Sequence, residues 1–308
     1  MTPLSRRELL FSAAATLAGA AAVRAANSAQ HPAWDELPAI LARIRPPGFP
    51  DRAFPVTQFG ADADGRKDST EAINRAIAEC SRAGGGRVEV PAGVFLTAAI
   101  HLKSNVNLQL ARGSKLLFDR TPARYLPLVY TRWEGVECMN YSAFIYADRV
   151  ENIAVTGEGT LDGNCDCDHW WPWKGRMNCG WKQGMPVQEP ARQRLFKMGE
   201  ADVPVERRTF GEEAFLRPNF IQPCRSRNIL IEGVTIVNSP MWEINPILCT
   251  NVTVHGVKIS SHGPNNDGCD PDSSKDVLIE SCSFDTGDDC IAIDSGRDRD
   301  GRRGGRCS

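Results

Sequence analysis

Two acidic segments in the last fifth of the sequence contain the residues best suited to chemistry. They span residues 264–272 and 286–290, and an offset of 21 residues pairs Asp267 with Asp288, and Gly268 with Asp289, on the next turn of the chain. Because clustered carboxylates repel one another, we expect one of them to keep its proton while its neighbours stay ionised. The pattern predicts an acid–base centre in which one carboxyl group donates a proton and another activates water.

Two alternative roles for these carboxylates stay open. Asp-Gly and Asp-Asp pairs are also common where strands end in turns, with no chemical role. Carboxylate oxygens are also ligands for calcium, although neither segment has the alternating spacing of an EF-hand loop. Agreement in spacing between the two segments favours the acid–base centre over both alternatives.

Short apolar segments recur along the chain and would position these carboxylates. Three segments carry apolar residues at four equivalent positions, separated by 23 and then 25 residues. They are Ile229, Ile231, Val234 and Ile236; Val252, Val254, Val257 and Ile259; and Val277, Ile279, Cys282 and Phe284. A unit of this size cannot bury its own apolar face and must stack on its neighbours. The repeat predicts an all-β, right-handed parallel β-helix, with an antiparallel sandwich as the alternative.

Residues 1–25 have the pattern of a bacterial export signal. Arg6 and Arg7 form a twin-arginine pair, and small residues follow the apolar run from Leu9 to Val23. That run has 15 residues, which is too few to cross a bilayer. We therefore expect a periplasmic or extracellular protein without a membrane-spanning segment.

The rest of the chain is predicted to form one domain after a lead-in. Residues 26–53 are rich in proline and alanine, and residues 54–308 would form the β-helix. Helical spacing of the apolar residues from Ala72 to Cys80 predicts a short capping helix at its amino-terminal end. Residues 164–220 interrupt the repeat and hold four of the seven tryptophans, which would either stack on a ligand or form the core of the insertion.

Composition excludes several classes of partner and metal site. The chain has 308 residues and a formal net charge of −2, so charge gives no reason to expect nucleic acid or an anionic membrane as a partner. The 11 cysteines do not have the sequence spacing that is typical of zinc sites, and we expect no metal site. Their odd number leaves at least one thiol unpaired.

Short motifs between about Phe54 and Arg303 together resemble the signature of glycoside hydrolase family 28, the polygalacturonase family of pectin-degrading enzymes. These motifs are Phe59-Gly60-Ala61-Asp62, Asp68-Ser69-Thr70-Glu71-Ala72-Ile73, Gly157-Glu158-Gly159-Thr160-Leu161-Asp162-Gly163, Asn238-Ser239-Pro240-Met241-Trp242, Asn265-Asn266-Asp267 and Gly287-Asp288-Asp289. The family's Asn-Thr-Asp motif stands here as Asn-Asn-Asp.

The resemblance implies an inverting hydrolase of pectic polysaccharide, either homogalacturonan or a rhamnogalacturonan. Asp288 would protonate the leaving glycosidic oxygen, while Asp267 and Asp289 would hold a water molecule and deprotonate it. Asn265 would position these carboxylates or contact the substrate, and Trp242 would contact the substrate. An acid–base separation of about 6.5–9.5 Å would leave room for the water and predict inversion at the sugar carbon. No cofactor is needed, and we expect a monomer.

The sequence also departs from the family pattern. The Gly-His-Gly coil and the Arg-Ile-Lys motif that follow the Asp pair in the family are absent, and Asn245 stands where the family often has histidine. Residues 302–308 have no strand pattern, so we expect a chain truncated at its carboxyl end, with reduced stability or activity. A calcium-dependent polysaccharide lyase on the same fold and a carbohydrate-binding pseudoenzyme are the alternative functions.

Overall fold

The computed structural model of the chain describes residues 32–307 and separates two units, Met1–Arg43 and Ile44–Ser308. The described part of the first unit consists of helices α1 (Pro32–Asp35) and α2 (Leu37–Arg43), which lie in the segment predicted as a lead-in. The predicted export signal lies outside the described residues. Among the residues that the structure describes, no helix is both long and apolar enough to cross a membrane.

The second unit is built mainly from short strands, with three helices. In chain order the strands are β1 (Ala53–Pro55), β2 (Asp64–Asp68), β3 (Gly86–Val90), β4 (Gly93–Thr97), β5 (Ile100–His101), β6 (Val106–Leu110), β7 (Ser114–Phe118), β8 (Val129–Trp133), β9 (Val136–Asn140), β10 (Ile145–Asp148), β11 (Glu151–Gly157), β12 (Thr160–Asp162), β13 (Ile221–Cys224), β14 (Arg227–Glu232), β15 (Thr235–Val237), β16 (Thr250–His255), β17 (Lys258–Ser261), β18 (Lys275–Glu280) and β19 (Ser283–Thr286). The helices are α3 (Thr70–Arg82), α4 (Glu189–Glu200) and α5 (Asp298–Gly304).

Three parallel sheets form the sides of a solenoid. One sheet has the order β1-β3-β6-β11-β14-β16-β18, the second β2-β4-β7-β12-β15-β17-β19, and the third β5-β10-β13. Single bridges continue the third sheet through Ile244, Cys269 and Ile291. Since neighbouring strands come from successive turns of the chain, each turn contributes one strand to each side. The predicted all-β parallel β-helix is confirmed.

Equivalent positions of the sequence repeat lie directly above one another. Ile229 pairs with Val252, and Val252 pairs with Val277, in the first sheet. In the second sheet Ile236 pairs with Ile259, which in turn pairs with Phe284. These stacked apolar side chains form one continuous core, as the spacing predicts.

An asparagine ladder fixes the corner before the first sheet. Asn152 donates to Asn105 (3.0 Å), Asn228 donates to Asn152 (2.9 Å), and Asn251 donates to Asn228 (2.9 Å). All four have φ between 53° and 65°, and Asp276 follows at 53°. Asparagine and aspartate tolerate this left-handed conformation better than most residues. Their recurrence ahead of each apolar segment therefore has a backbone cause.

The predicted capping helix is present as α3. Ala72, Ile73, Ala76, Ile77 and Cys80, the residues spaced for one apolar face, are all buried. At the start of this helix the side chain of Ser69 makes no capping bond. Asp68 Oδ1 instead accepts hydrogen bonds from the backbone N–H and the hydroxyl of Thr70.

The insertion at residues 164–220 folds outside the solenoid together with the antiparallel hairpin of β8 and β9. It contains α4 and short 3₁₀ turns at Trp171–Lys174, Met177–Cys179 and Val205–Arg207. Side chains from the insertion and the hairpin form a second apolar cluster that also includes Met241 and Trp242 of the solenoid. This cluster holds the insertion against the turn that precedes the acidic segments.

Candidate active site

The two acidic segments lie on successive turns of the solenoid at the end of the third sheet. Cys269 pairs with Ile291 and Asp272 with Asp294, which is an offset of 22 residues. The predicted offset of 21 is wrong by one residue. When the same offset of 22 residues is applied to Asp267, this residue lies opposite Asp289 rather than opposite Asp288.

Asp267, Asp288 and Asp289 nevertheless come together. One carboxylate oxygen from each lies within 4.8 Å of those of the other two. This is closer than the expected acid–base separation of about 6.5–9.5 Å, so the spacing does not by itself select inversion. Asp267 is 6% exposed, whereas Asp288 and Asp289 are exposed, and the three groups thus differ mainly in their access to water.

Burial and the neighbouring charges act together on Asp267. Desolvation, followed by the carboxylates of Asp288 and Asp289, raises the pKa of Asp267 to about 7, and Lys174 opposes this shift. Its Oδ1 atom has no hydrogen-bond partner. In the free protein Asp267 therefore exchanges its proton near neutral pH, so that both its protonated and its ionised form are accessible there.

Two further carboxyl groups lie behind this centre. Burial raises the pKa of Asp270 to about 9, and it also raises the pKa of Glu243 well above its usual range. Both side chains are fully buried, and neither carboxylate oxygen of Glu243 has a hydrogen-bond partner. Ionised forms of three adjacent buried acids would repel one another strongly, so Glu243 and Asp270 are neutral at pH 7.

Asp272, also in the first acidic segment, has a structural role. Its Oδ1 atom accepts a hydrogen bond from Arg132 (2.8 Å) and another from the backbone of Gly296 (2.7 Å). Arg132 and Asp272 are each 1% exposed, which makes this a buried ion pair. Asp272 is therefore close to Asp267 in sequence but does not belong to the cluster of three carboxylates.

Asn265 joins the carboxylates to a buried arginine. Its Nδ2 atom lies 3.4 Å from Asp288 Oδ2, and its Oδ1 atom accepts from Arg217 (2.9 Å). Arg217 is fully buried and also donates to Gln188 and to the carbonyl oxygens of Pro240 and Pro264. Burial lowers the pKa of Arg217 to about 10, a value that still leaves it charged at neutral pH. Arg217 is a positioning residue that sequence reasoning missed; an arginine within the apolar run at the end of the insertion was the available signal.

Two asparagines near the centre, Asn266 and Asn245, form hydrogen bonds with backbone groups. Asn266 Oδ1 accepts from Ser261 and Gly263, and its Nδ2 donates to the carbonyls of Ser239 and Met241. Asn245 is fully buried and donates to the carbonyl of Asp270 (2.7 Å). Asn266 thus fixes the loop that carries Asp267, and Asn245 links adjacent turns.

The tryptophans have different positions from those expected of a sugar platform. Trp242 is 9% exposed and packs in the second apolar cluster, so most of its ring is not available to a ligand. Trp170 is 2% exposed and lies edge-on to Trp173 at 4.8 Å. Trp170 and Trp173 therefore pack within the protein rather than stack on a ligand. Trp171 lies against Gly263, immediately before the acidic segment 264–272, and its Nε1 donates to the carbonyl of Ser239 (2.8 Å) on the preceding turn.

Comparison with protein families gives two matches within this chain. Residues 209–306, which include all three clustered carboxylates, match Glycosyl hydrolases family 28. Residues 53–111 match the description Rhamnogalacturonase A/epimerase, pectate lyase-like.

Individual relatives agree with these matches. A probable polygalacturonase from Vitis vinifera is 28% identical over 80% of this chain and 45% of its own length. An exo-poly-alpha-D-galacturonosidase from Dickeya chrysanthemi is 27% identical over 80% of this chain and 43% of its own length. The chain therefore spans less than half the length of these curated relatives.

Solved structures give a similar result. A hyperthermoactive exopolygalacturonase from Thermotoga maritima is 54% identical, with a TM-score of 0.84 over 86% of this chain and 59% of its own. The family 28 exopolygalacturonase of Yersinia enterocolitica is 25% identical, with a TM-score of 0.63 over 82% of this chain and 46% of its own. The resemblance predicted from the short motifs is confirmed.

Proposed function

We propose that this chain, which resembles the glycoside hydrolases of family 28 in sequence and fold, hydrolyses α-1,4-galacturonosidic linkages of pectin. The observation that carries the proposal is the cluster of Asp267, Asp288 and Asp289, whose carboxylate oxygens lie within 4.8 Å of one another, with Asp267 buried and the other two exposed. Carboxyl groups gathered at one place suit a reaction that needs a proton donor and a proton acceptor at one site.

In this mechanism Asp288 protonates the leaving glycosidic oxygen. Asp267, in the ionised form that predominates above about pH 7, and Asp289 hold a water molecule and accept its proton as the water oxygen bonds to the sugar carbon and the glycosidic bond breaks. Asn265, held by Arg217, fixes the side chain of Asp288 (3.4 Å). We propose inversion at the sugar carbon, on the basis of the family resemblance, and NMR of the first product anomer tests it.

The test is product release from polygalacturonate by wild-type protein and by Asp288→Asn. New reducing ends without the ultraviolet absorbance of unsaturated uronides, lowered about 10²–10⁴-fold in the variant, are the expected result. Asp285→Asn, which removes an exposed carboxyl on β19, is the matched control and should retain activity. Correctly folded wild-type protein that releases no product would leave a carbohydrate-binding protein as the better description.

A calcium-dependent polysaccharide lyase is the second candidate. Three carboxylates with oxygens within 4.8 Å would attract a divalent cation, and the amino-terminal match includes pectate lyase-like proteins. A lyase would produce the ultraviolet absorbance only when calcium is added, and a chelator would abolish it. Hydrolysis that persists in chelator contradicts this candidate.

We further propose that cleavage proceeds from a chain end. The similarity to exopolygalacturonases from Thermotoga maritima and Yersinia enterocolitica supports this, and so does the insertion packed beside the acidic loop. Exo action releases short products of one size while the viscosity of polygalacturonate falls slowly. A rapid fall in viscosity with mixed oligomers would contradict it.

Export remains a proposal that rests on the sequence pattern of residues 1–25. Replacing both Arg6 and Arg7 by lysine is expected to leave the protein in the cytoplasm of a bacterial host. Fractionation of cells that express the wild type and the variant measures this. Equal export of the two forms would contradict a twin-arginine route.

A further inference from the structure

A half-buried ammonium group lies on the insertion beside the acidic centre, and the nearby carboxylate of Glu134 raises its pKa. Lys174 is half-buried, and among the described residues no carboxylate oxygen lies within 4.0 Å of its Nζ atom. The described hydrogen bonds include none from that atom. Removing a cation partly from water costs free energy, and an anion bound in direct contact with it would offset that cost.

The turn that carries Lys174 packs against the loop that leads into the acidic segment 264–272. Lys174 is the last residue of the 3₁₀ turn Trp171–Lys174. Trp171 donates to the carbonyl of Ser239 (2.8 Å), and its ring lies so close to Gly263 that a Cβ atom there would come within 2.3 Å of it. The backbone N–H of Gln188 donates to the carbonyl of Trp173 (2.8 Å). The position of Lys174 relative to Asp267 is therefore determined by packing.

The charge of Lys174 acts directly on the centre. It lowers the pKa of Asp267, against the larger effects of burial and the neighbouring carboxylates. Burial, and then the cation of Arg217, lowers the pKa of Lys174 itself. Arg217 is fully buried and uses four of its five N–H groups in hydrogen bonds to protein atoms, so it is placed to hold the surrounding loops rather than to meet a ligand from solvent.

A chain of uronate units brings one negative charge per sugar to a site that already holds three carboxylates. Repulsion would oppose binding unless a cation faced the bound sugar. We propose that Lys174, supplied by the insertion, binds the carboxylate of a uronate unit beside the cleaved bond and so selects acidic over neutral polysaccharide. This inference rests on the proposed hydrolase function and assigns part of its substrate selection to the insertion.

The experiment compares wild type, Lys174→Met, Lys174→Arg and Lys182→Met on trigalacturonate. Lys182 is exposed on the same insertion and is the matched control. A charge-assisted hydrogen bond is worth about 1.5–3 kcal/mol, so Lys174→Met should raise KM roughly 10–100-fold with kcat within about threefold. Lys174→Arg should recover much of this loss, Lys182→Met should match the wild type, and added salt should weaken the wild type more than Lys174→Met.

Other outcomes separate the inference from the proposed function. Unchanged KM in Lys174→Met, or equal impairment of the Met and Arg variants, would overturn the inference while hydrolysis by the wild type stands. A loss confined to kcat would also overturn it and assign Lys174 to the chemistry instead. Wild-type protein that neither cleaves trigalacturonate nor is retarded in gels containing polygalacturonate would overturn the proposed function and the inference together.

Discussion

At the scale of single residues, the three carboxylates are alike in chemistry but unlike in environment. Asp267 is buried beneath two exposed aspartates, and its pKa of about 7 follows from burial and from their charges. Asp294 is a further negative charge that raises the pKa of Asp267. The pH dependence of activity therefore reports on groups around the centre as well as on the centre itself.

Asp294→Asn is expected to shift the pH profile to lower pH. Removing a negative charge stabilises ionised Asp267 and lowers its pKa, so the water-activating form is present at lower pH. The rising limb of kcat/KM, near pH 7 in the wild type, should move down by about 0.5 unit. Asp285→Asn, on the exposed face of β19, should leave the limb in place. An unchanged or upward shift in Asp294→Asn would contradict this assignment.

Asp270 is expected to make stability depend on pH. Its folded-state pKa of about 9 lies above that of the unfolded chain, so its contribution to stability is fully present below about pH 4 and is lost as pH rises to about 9. The loss is up to about 1.4 kcal/mol per pH unit. The amide of Asp270→Asn does not ionise, so this variant should lose less stability than wild type as pH rises. The melting temperature of the variant minus that of wild type should therefore increase between pH 5 and pH 8. The exposed Asp168 provides the control, Asp168→Asn; a pH-independent difference for Asp270→Asn would contradict this role of Asp270.

At the scale of elements, the corners of the solenoid matter as much as its strands. Asn105, Asn152, Asn228 and Asn251 form one hydrogen-bonded column at a left-handed corner. The column keeps successive strands of the first sheet in register. Register in turn determines which residues of the acidic segments face one another, as the one-residue shift between expected and observed pairing shows.

Asn228→Ala is expected to destabilise the solenoid by about 2–4 kcal/mol. The change removes two side-chain hydrogen bonds and puts alanine at a φ of 56°, which costs about 1–2 kcal/mol. Asn228→Gly loses the same hydrogen bonds without the strain and should be less destabilised by about 1 kcal/mol. Urea unfolding of the three proteins measures both effects. Equal stability of the Ala and Gly variants would mean that backbone strain is unimportant at this corner.

At the scale of the whole molecule, the core runs through the solenoid and contains most of the thiols. All 11 cysteines are free in the part of the chain that the structure describes. Cys80, Cys138, Cys165, Cys224, Cys249 and Cys269 are buried, whereas Cys167 and Cys290 are exposed. Burial raises the pKa of Cys80 to about 11 and that of Cys249 to about 12.

Thiol titration of the native protein is expected to show distinct classes. Because the thiolate is the reactive form, Cys167 and Cys290 should react first with a disulfide reagent, and the six buried thiols only on unfolding. Replacing Cys167 and Cys290 by serine should remove the fast phase and leave the slow one. Rapid reaction of more than five thiols, the exposed and partly buried set, would show that the solenoid opens under native conditions.

Sequence alone determined the repeat and the members of the acidic centre. Each of these depends on local spacing: an apolar unit too small to bury its own face must stack, and residues at equivalent positions then lie side by side. The stacking of repeats predicted that Asp267, Asp288 and Asp289 lie close together. Helical spacing of apolar residues predicted the helix from Thr70 to Arg82 and its buried face.

Tertiary structure decided the environment of that centre. Arg217 and Lys174 lie in an insertion whose sequence has no periodic pattern, so its position against the solenoid could not be predicted. Burial of Glu243 and Trp242 results from contacts with several distant segments at once, so no pattern within one segment could reveal it. Proton affinity depends on the sum of these contacts and charges, and for that reason it follows from the folded arrangement and not from the order of residues.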